Sequence, residues 1–109
     1  MIIPIADYMF DGPYESIEEL KDESGVFSVV CVDEGNWYLL DVDHAEEVRT
    51  ALLSHPREEQ WRKYKRGEIR YAVLYTGQSS REKRQMIEVT IRDEYKDIPC
   101  PPADPENKV

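Results

Sequence analysis

Lysine and arginine are outnumbered in this chain: 14 stand against 23 aspartates and glutamates, for a formal net charge of −9. The deficit favours solubility and works against non-specific attraction to phosphate backbones or anionic membranes. It leaves room for a local basic patch, and the basic residues do cluster between Arg57 and Arg92. Cysteine is also scarce. Cys31 and Cys100, the only two, make neither a disulfide framework nor a zinc pattern. They read as one buried strand thiol and one exposed thiol in a reducing compartment. No apolar run approaches the ~20 residues that cross a bilayer. The start, Met1-Ile2-Ile3-Pro4, lacks the basic leader of a signal peptide. No internal repeat stands out. These absences point to a cytoplasmic protein with no membrane partner.

What is present suits one small soluble domain: 109 residues, 40% of them hydrophobic and 34% charged. Residues 1–12 read as an irregular lead, because Pro4 and Pro13 discourage regular structure. Residues 13–99 read as the domain, and residues 100–109, with Pro101, Pro102 and Pro105, as a flexible tail.

Within the domain, Ser16-Ile17-Glu18-Glu19 has the form of a capping box, which predicts a short helical turn over 16–21. Val26 to Val32 is rich in β-branched residues and apolar on both alternating sets, as in a strand covered on both faces. Asp33-Glu34-Gly35-Asn36 supplies turn chemistry, and Trp37 to Val42 returns as an antiparallel strand. Asp43, with Glu46 following, reads as the cap of a helix whose apolar side is Ala45, Val48 and Leu52. A second helix is predicted over 57–66, stopped by Gly67, and a third strand over 69–76. Ser80 caps a last helix reaching about Tyr95, with Met86, Ile87 and Ile91 on its buried side. The expected fold is a three-stranded sheet of order β-β-α-α-β-α, covered by helices as a compact α/β sandwich.

One stretch, Gly25 to Arg49, carries most of the chemical signal. It sets aromatics on paired strands ahead of an arginine on the next helix. A basic run follows, Arg57, Arg62, Lys63, Lys65 and Arg66, with Trp61 and Tyr64 interleaved. Cations there would meet phosphates and an aromatic would stack on a base. The plainer reading is a solvated amphipathic helix with its aromatics inward. Arg81 and Arg84 are similarly ambiguous. His44 and His55 read as exposed helix-end residues, and Asp41 and Asp43 as turn and cap residues.

The order of these elements and residues resembles the GIY-YIG endonuclease domain over most of residues 13–99. Gly25-Val26-Phe27 stands at its first motif and Tyr38-Leu39-Leu40 at its second. Arg49 stands at the arginine of the first helix, and His55 and Tyr64 at the helical His or Tyr. Glu88, ahead of Tyr95 and Pro99, stands at the metal-binding glutamate. The resemblance implies hydrolysis of a DNA or RNA phosphodiester. Tyr38 would orient water and Arg49 would fork onto the phosphate. Glu88 would hold Mg²⁺ or Mn²⁺. Phe27, His55, Arg62, Lys63, Tyr64 and Arg84 would bind substrate, and a partner protein would supply targeting. Arg49 with Glu88 favours the nuclease; Phe27, which lacks the motif hydroxyl, Leu40, which replaces a glycine, and the net charge of −9 favour the alternative, a catalytically degenerate module acting in nucleic-acid or protein binding. Each role also has a structural competitor. Tyr38 is a residue type favoured in strands. Arg49 is placed to pair with Glu46, and Glu88 with Arg84 and Arg92 as a surface charge ladder.

Overall fold

The computed structural model describes residues 1–101. Most of the proline-rich tail, residues 102–109, lies outside the described residues. The described chain runs β1 (Ile2–Ile5), β2 (Tyr8–Tyr14), a 3₁₀ turn (Ile17–Glu19), β3 (Gly25–Asp33) and β4 (Asn36–Ala45). It continues as α1 (Val48–Leu53), α2 (Glu58–Tyr64), β5 (Glu68–Tyr75) and α3 (Arg81–Glu94).

The strands form one five-stranded sheet in the order β1-β2-β5-β3-β4, with every pairing antiparallel. This overturns the expected three-stranded sandwich. The segment expected to be an irregular lead is a β-hairpin that extends the sheet. The prolines misled because each sits where no ladder bond is lost. Pro4 lies on β1, an edge strand, opposite Met9. Pro13 falls in the register shift between Asp11 and Tyr14. The hairpin turns through Ala6 and Asp7 at φ of 50° and 66°. Both central residues of a tight hairpin turn need positive φ, usually from Asn or Gly, so Ala-Asp gave no turn signal. The added strands earn their place by burying Ile5 and Phe10 completely.

Two apolar layers lie on the two sides of the sheet. Phe27, Val29, Cys31, Leu40 and Val73 pack with Val48 and Leu52 of α1 and Trp61 of α2. Val26, Val30, Val42 and Ala72 pack with Ile5, Phe10 and with Ile87 and Ile91 of α3. Burial of β3 on both sides, as its sequence suggested, follows from its place between β5 and β4. Gly25 opens β3 where it runs closest to β5: a Cβ there would lie 2.6 Å from the Leu74 carbonyl oxygen.

The capping box forms, with Ser16 and Glu19 exchanging bonds across the 3₁₀ turn. Ser80 caps α3 by accepting from the Lys83 amide. Three local expectations fail. β4 runs on to Ala45, so Asp43 and His44 are strand residues and α1 starts after Glu47. Met86 is exposed on α3 rather than buried. Cys100, expected to be exposed, is fully buried in the layer beneath α1 and α2.

Candidate functional site

β4 is an edge strand, and its two halves carry different chemistry. The half near α1 holds Asp41, Asp43 and His44; the half near the hairpin turn holds Trp37 and Tyr38.

Register explains the first half. Asp41 lies opposite Val29 and Asp43 opposite Phe27, so both carboxylates point into the layer under α1 and α2. A carboxylate there must be paired. The Asp41 side chain is only 1% exposed and meets donors from four residues. Arg57 Nε donates to it at 2.8 Å, Arg92 Nη2 at 2.8 Å, Trp61 Nε1 at 2.7 Å and the Val42 amide at 2.8 Å. Asp43 Oδ2 is 2.9 Å from His55 Nε2 and accepts from Arg57 Nη2 at 3.2 Å. His55 Nδ1 accepts the Arg57 amide at 3.1 Å, which fixes the ring under Trp61 with centroids 4.8 Å apart.

Arg92 joins the two sides of the sheet. It rises from α3, donates to Glu88 at 3.0 Å, and passes the edge of β4 to reach Asp41. It also donates to the Val42 carbonyl at 2.7 Å and to the Cys100 carbonyl at 2.7 Å. One guanidinium thereby covers an edge-strand acceptor and fastens the C-terminal segment. Glu88 is buried, with Oε1 3.8 Å from His44 Nε2.

The electrostatics follow from this pairing. Burial opposes ionisation of Asp43, but the bonds from His55 and the His44 amide, with the Arg57 charge, outweigh it and hold its pKa at about 2. Burial likewise opposes the Arg57 charge, yet Asp41 raises its pKa. Burial first, then Asp41, pushes the Cys100 thiol up to about 11. The Asp43 shift has a pH consequence. Its folded pKa lies below the ordinary 3.8 of the unfolded chain. The stabilisation is therefore complete above that value and is lost as pH falls through about 2. Unfolding free energies from urea titrations at pH 5 and pH 2 should differ by about 2 kcal/mol more in the wild type than in Asp43→Asn.

The second half of β4 borders a cleft of about 740 Å³. Trp37, Tyr38 and Leu40 line one side, Tyr64 and Arg66 another, and Glu94 to Pro99 the far wall. Tyr38 and Tyr64 are 47% and 43% exposed, so their rings are not consumed by the core. Trp37 and Tyr95 pack against each other with centroids 6.4 Å apart. Lys63 stands over the Tyr64 ring, 5.5 Å from its centroid.

The residues expected to act together are dispersed. Tyr38 sits opposite Cys31 near the hairpin turn, whereas Arg49 follows the far end of β4 on α1. Tyr38 and Ala45 are seven residue steps apart along the strand, or roughly 23 Å at strand rise. Arg49 donates to the Leu20 carbonyl at 3.4 Å, beside the 3₁₀ turn, rather than to Glu46 or toward any cleft. Glu88 is engaged with Arg92, but in a buried network rather than a surface ladder. Phe27 is 1% exposed and meets the His55 ring edge-on, so neither contacts solvent-borne substrate. Arg84 is buried and donates to Ser24 at 3.0 Å and to the Ser79 carbonyl at 3.1 Å. Arg57 and Trp61 turn inward, leaving Arg62, Lys63, Tyr64, Lys65 and Arg66 as the exposed part of the basic run. Arg62 pairs with Glu58 at 2.6 Å.

Sequence reading missed the importance of Asp41, Asp43, His44 and Arg92. The signal was the alternation of Asp41 and Asp43 on the second strand, which could add carboxylates on one face but ranked below the turn and cap reading.

Asp43, His44 and Glu88 offer one ligand atom each, all within 4.8 Å of one another. The surrounding charges decide whether Mg²⁺ or Mn²⁺ fits. Such a hard ion draws its affinity from carboxylate oxygens. Here Asp43 Oδ2 already serves His55 and Arg57, and Glu88 Oε2 serves Arg92. The Arg57 and Arg92 guanidiniums already balance much of the carboxylate charge on which a hard ion would draw, which weighs against a resident Mg²⁺ or Mn²⁺ at this donor set.

No protein-family model, no curated protein and no solved structure matches this chain. Among the described residues no helix is long and apolar enough to cross a membrane.

Proposed function

We propose that this chain is a non-hydrolytic nucleic-acid-binding module whose contact surface is the cleft beside β4. One observation carries the reading: two half-exposed tyrosines from different elements, Tyr38 of β4 and Tyr64 of α2, line one cleft with Arg66. Aromatic faces receive bases, and a guanidinium receives phosphate. The exposed end of α2 adds Lys63 and Lys65 beside them, a local cationic edge on a chain of net charge −9. The hydrolytic alternative lacks comparable support. Its tyrosine and arginine lie near opposite ends of the β3–β4 hairpin, and its carboxylate is neutralised by Arg92.

Binding on this reading needs no metal. A fluorescently labelled single strand of about twelve nucleotides, titrated in EDTA at about 50 mM salt, should show saturable anisotropy. Absence of binding by this strand and by its duplex under those conditions rejects the reading.

A further inference from the structure

The cleft has two unlike walls, and the difference bears on what form of nucleic acid it accepts. The α2 side is cationic: Arg66 lines the cleft beside Tyr64, and the exposed Lys63 and Lys65 flank Tyr64 in the chain. The far wall carries Glu94 and Asp97 with Lys96 between them, and Lys96 is held by Asp93 at 2.8 Å. A polyanion is therefore favoured along one wall and opposed along the other.

We infer that the cleft accepts a single strand, with an unpaired base seated on the Tyr38 and Tyr64 rings and its phosphates turned toward the end of α2. The inference rests on the nucleic-acid reading above. A duplex carries phosphates on both flanks, so docking it here sets one backbone against Glu94 and Asp97. Its bases are also stacked inside and cannot reach rings in a cleft. A single strand meets neither obstacle: it presents one backbone, and its bases swing out freely. The cleft volume of about 740 Å³ is in the range of sites that enclose small ligands, enough for one or two nucleotide units rather than a helix. Leu40, Ile98 and Pro99 add apolar surface to the cleft lining. At the rim, Lys63 lies over one face of the Tyr64 ring, so a base seats on the other face or displaces the lysine toward its own phosphate.

The test compares one labelled strand of about eight nucleotides with its own duplex, against wild type, Tyr64→Ala, Tyr64→Phe and Tyr64→Leu. The single strand should bind about tenfold or more tightly than the duplex. Tyr64→Ala should weaken single-strand binding by about tenfold, Tyr64→Leu by nearly as much, and Tyr64→Phe by less than about twofold. Tyr64 lies in the last turn of α2 and is half-exposed, so each variant is checked by its melting temperature. Tyr38→Leu replaces any variant that fails to fold. Equal affinity for strand and duplex overturns the inference, as does a folded Tyr64→Leu that binds like wild type. Equal affinity leaves the broader reading standing, whereas the silent leucine variant also removes Tyr64 from its contact surface. If neither strand nor duplex binds, the broader reading falls first and takes the inference with it.

Discussion

Asp41→Asn should destabilise the protein by about 3–5 kcal/mol, the range for removing one partner of a buried ion pair. The carboxylate of Asp41 faces two guanidiniums and an indole N–H on a strand edge. An asparagine oxygen replaces at most part of that set, and its amide turns two hydrogens toward Arg57 and Arg92. Both cations then remain buried with reduced compensation, which costs more than the loss of a hydrogen bond alone. In a domain of this size each kcal/mol corresponds to about 4 °C, so the melting temperature should fall by roughly 12–20 °C. The network acts as a unit. Asp41→Asn combined with Arg57→Met should therefore cost well under the sum of the two single changes. A loss below about 1 kcal/mol for Asp41→Asn would show that the edge of β4 is held by apolar packing alone.

The second large effect concerns binding. Reversing the end of α2, as Lys63→Glu, Lys65→Glu and Arg66→Glu together, should weaken single-strand affinity at least about a hundredfold at low salt. The wild type should show its own electrostatic signature. If three phosphates are neutralised, the slope of log K against log salt is about −2, so raising salt from about 50 to 200 mM costs roughly twentyfold. The reversed variant should lose that slope. Melting temperature should barely move, because these side chains are exposed and make none of the Asp41 network's contacts. Arg62 is kept in place, since it pairs with Glu58 rather than facing the cleft. An unchanged slope would place the phosphate contacts elsewhere.

Local patterns were legible in the sequence wherever one segment decides its own structure. The capping box at Ser16, the β3–β4 hairpin and the Ser80 cap all depend on neighbours along the chain. The N-terminal hairpin was hidden because edge position and register shift neutralise its prolines, and neither is visible before the sheet is assembled. The carboxylates of β4 were misread for a related reason. Asp43 before a helical pattern has the form of a cap, and only the continuation of the strand to Ala45 turns it inward. Of the candidate site, Tyr38, Tyr64 and the basic run were visible as residue types. Which of them share a cleft depended on β4 lying at an edge and on the segment after α3 closing the far wall. Glu88 reads in the sequence as a metal ligand, or else as a surface partner of Arg84 and Arg92; it pairs with Arg92 inside a buried network, and the passage of Arg92 across the edge to Asp41 was not visible in the sequence.

The most direct test follows backbone amide resonances while an unlabelled single strand is added in EDTA. The two halves of β4 give opposite expectations. Shifts should concentrate at Tyr38, at Tyr64 to Arg66 and at Tyr95 to Ile98, while Asp41, Asp43, His44 and Glu88 stay in place. Shifts centred on Asp43, His44 and Glu88, with the cleft silent, would contradict the account.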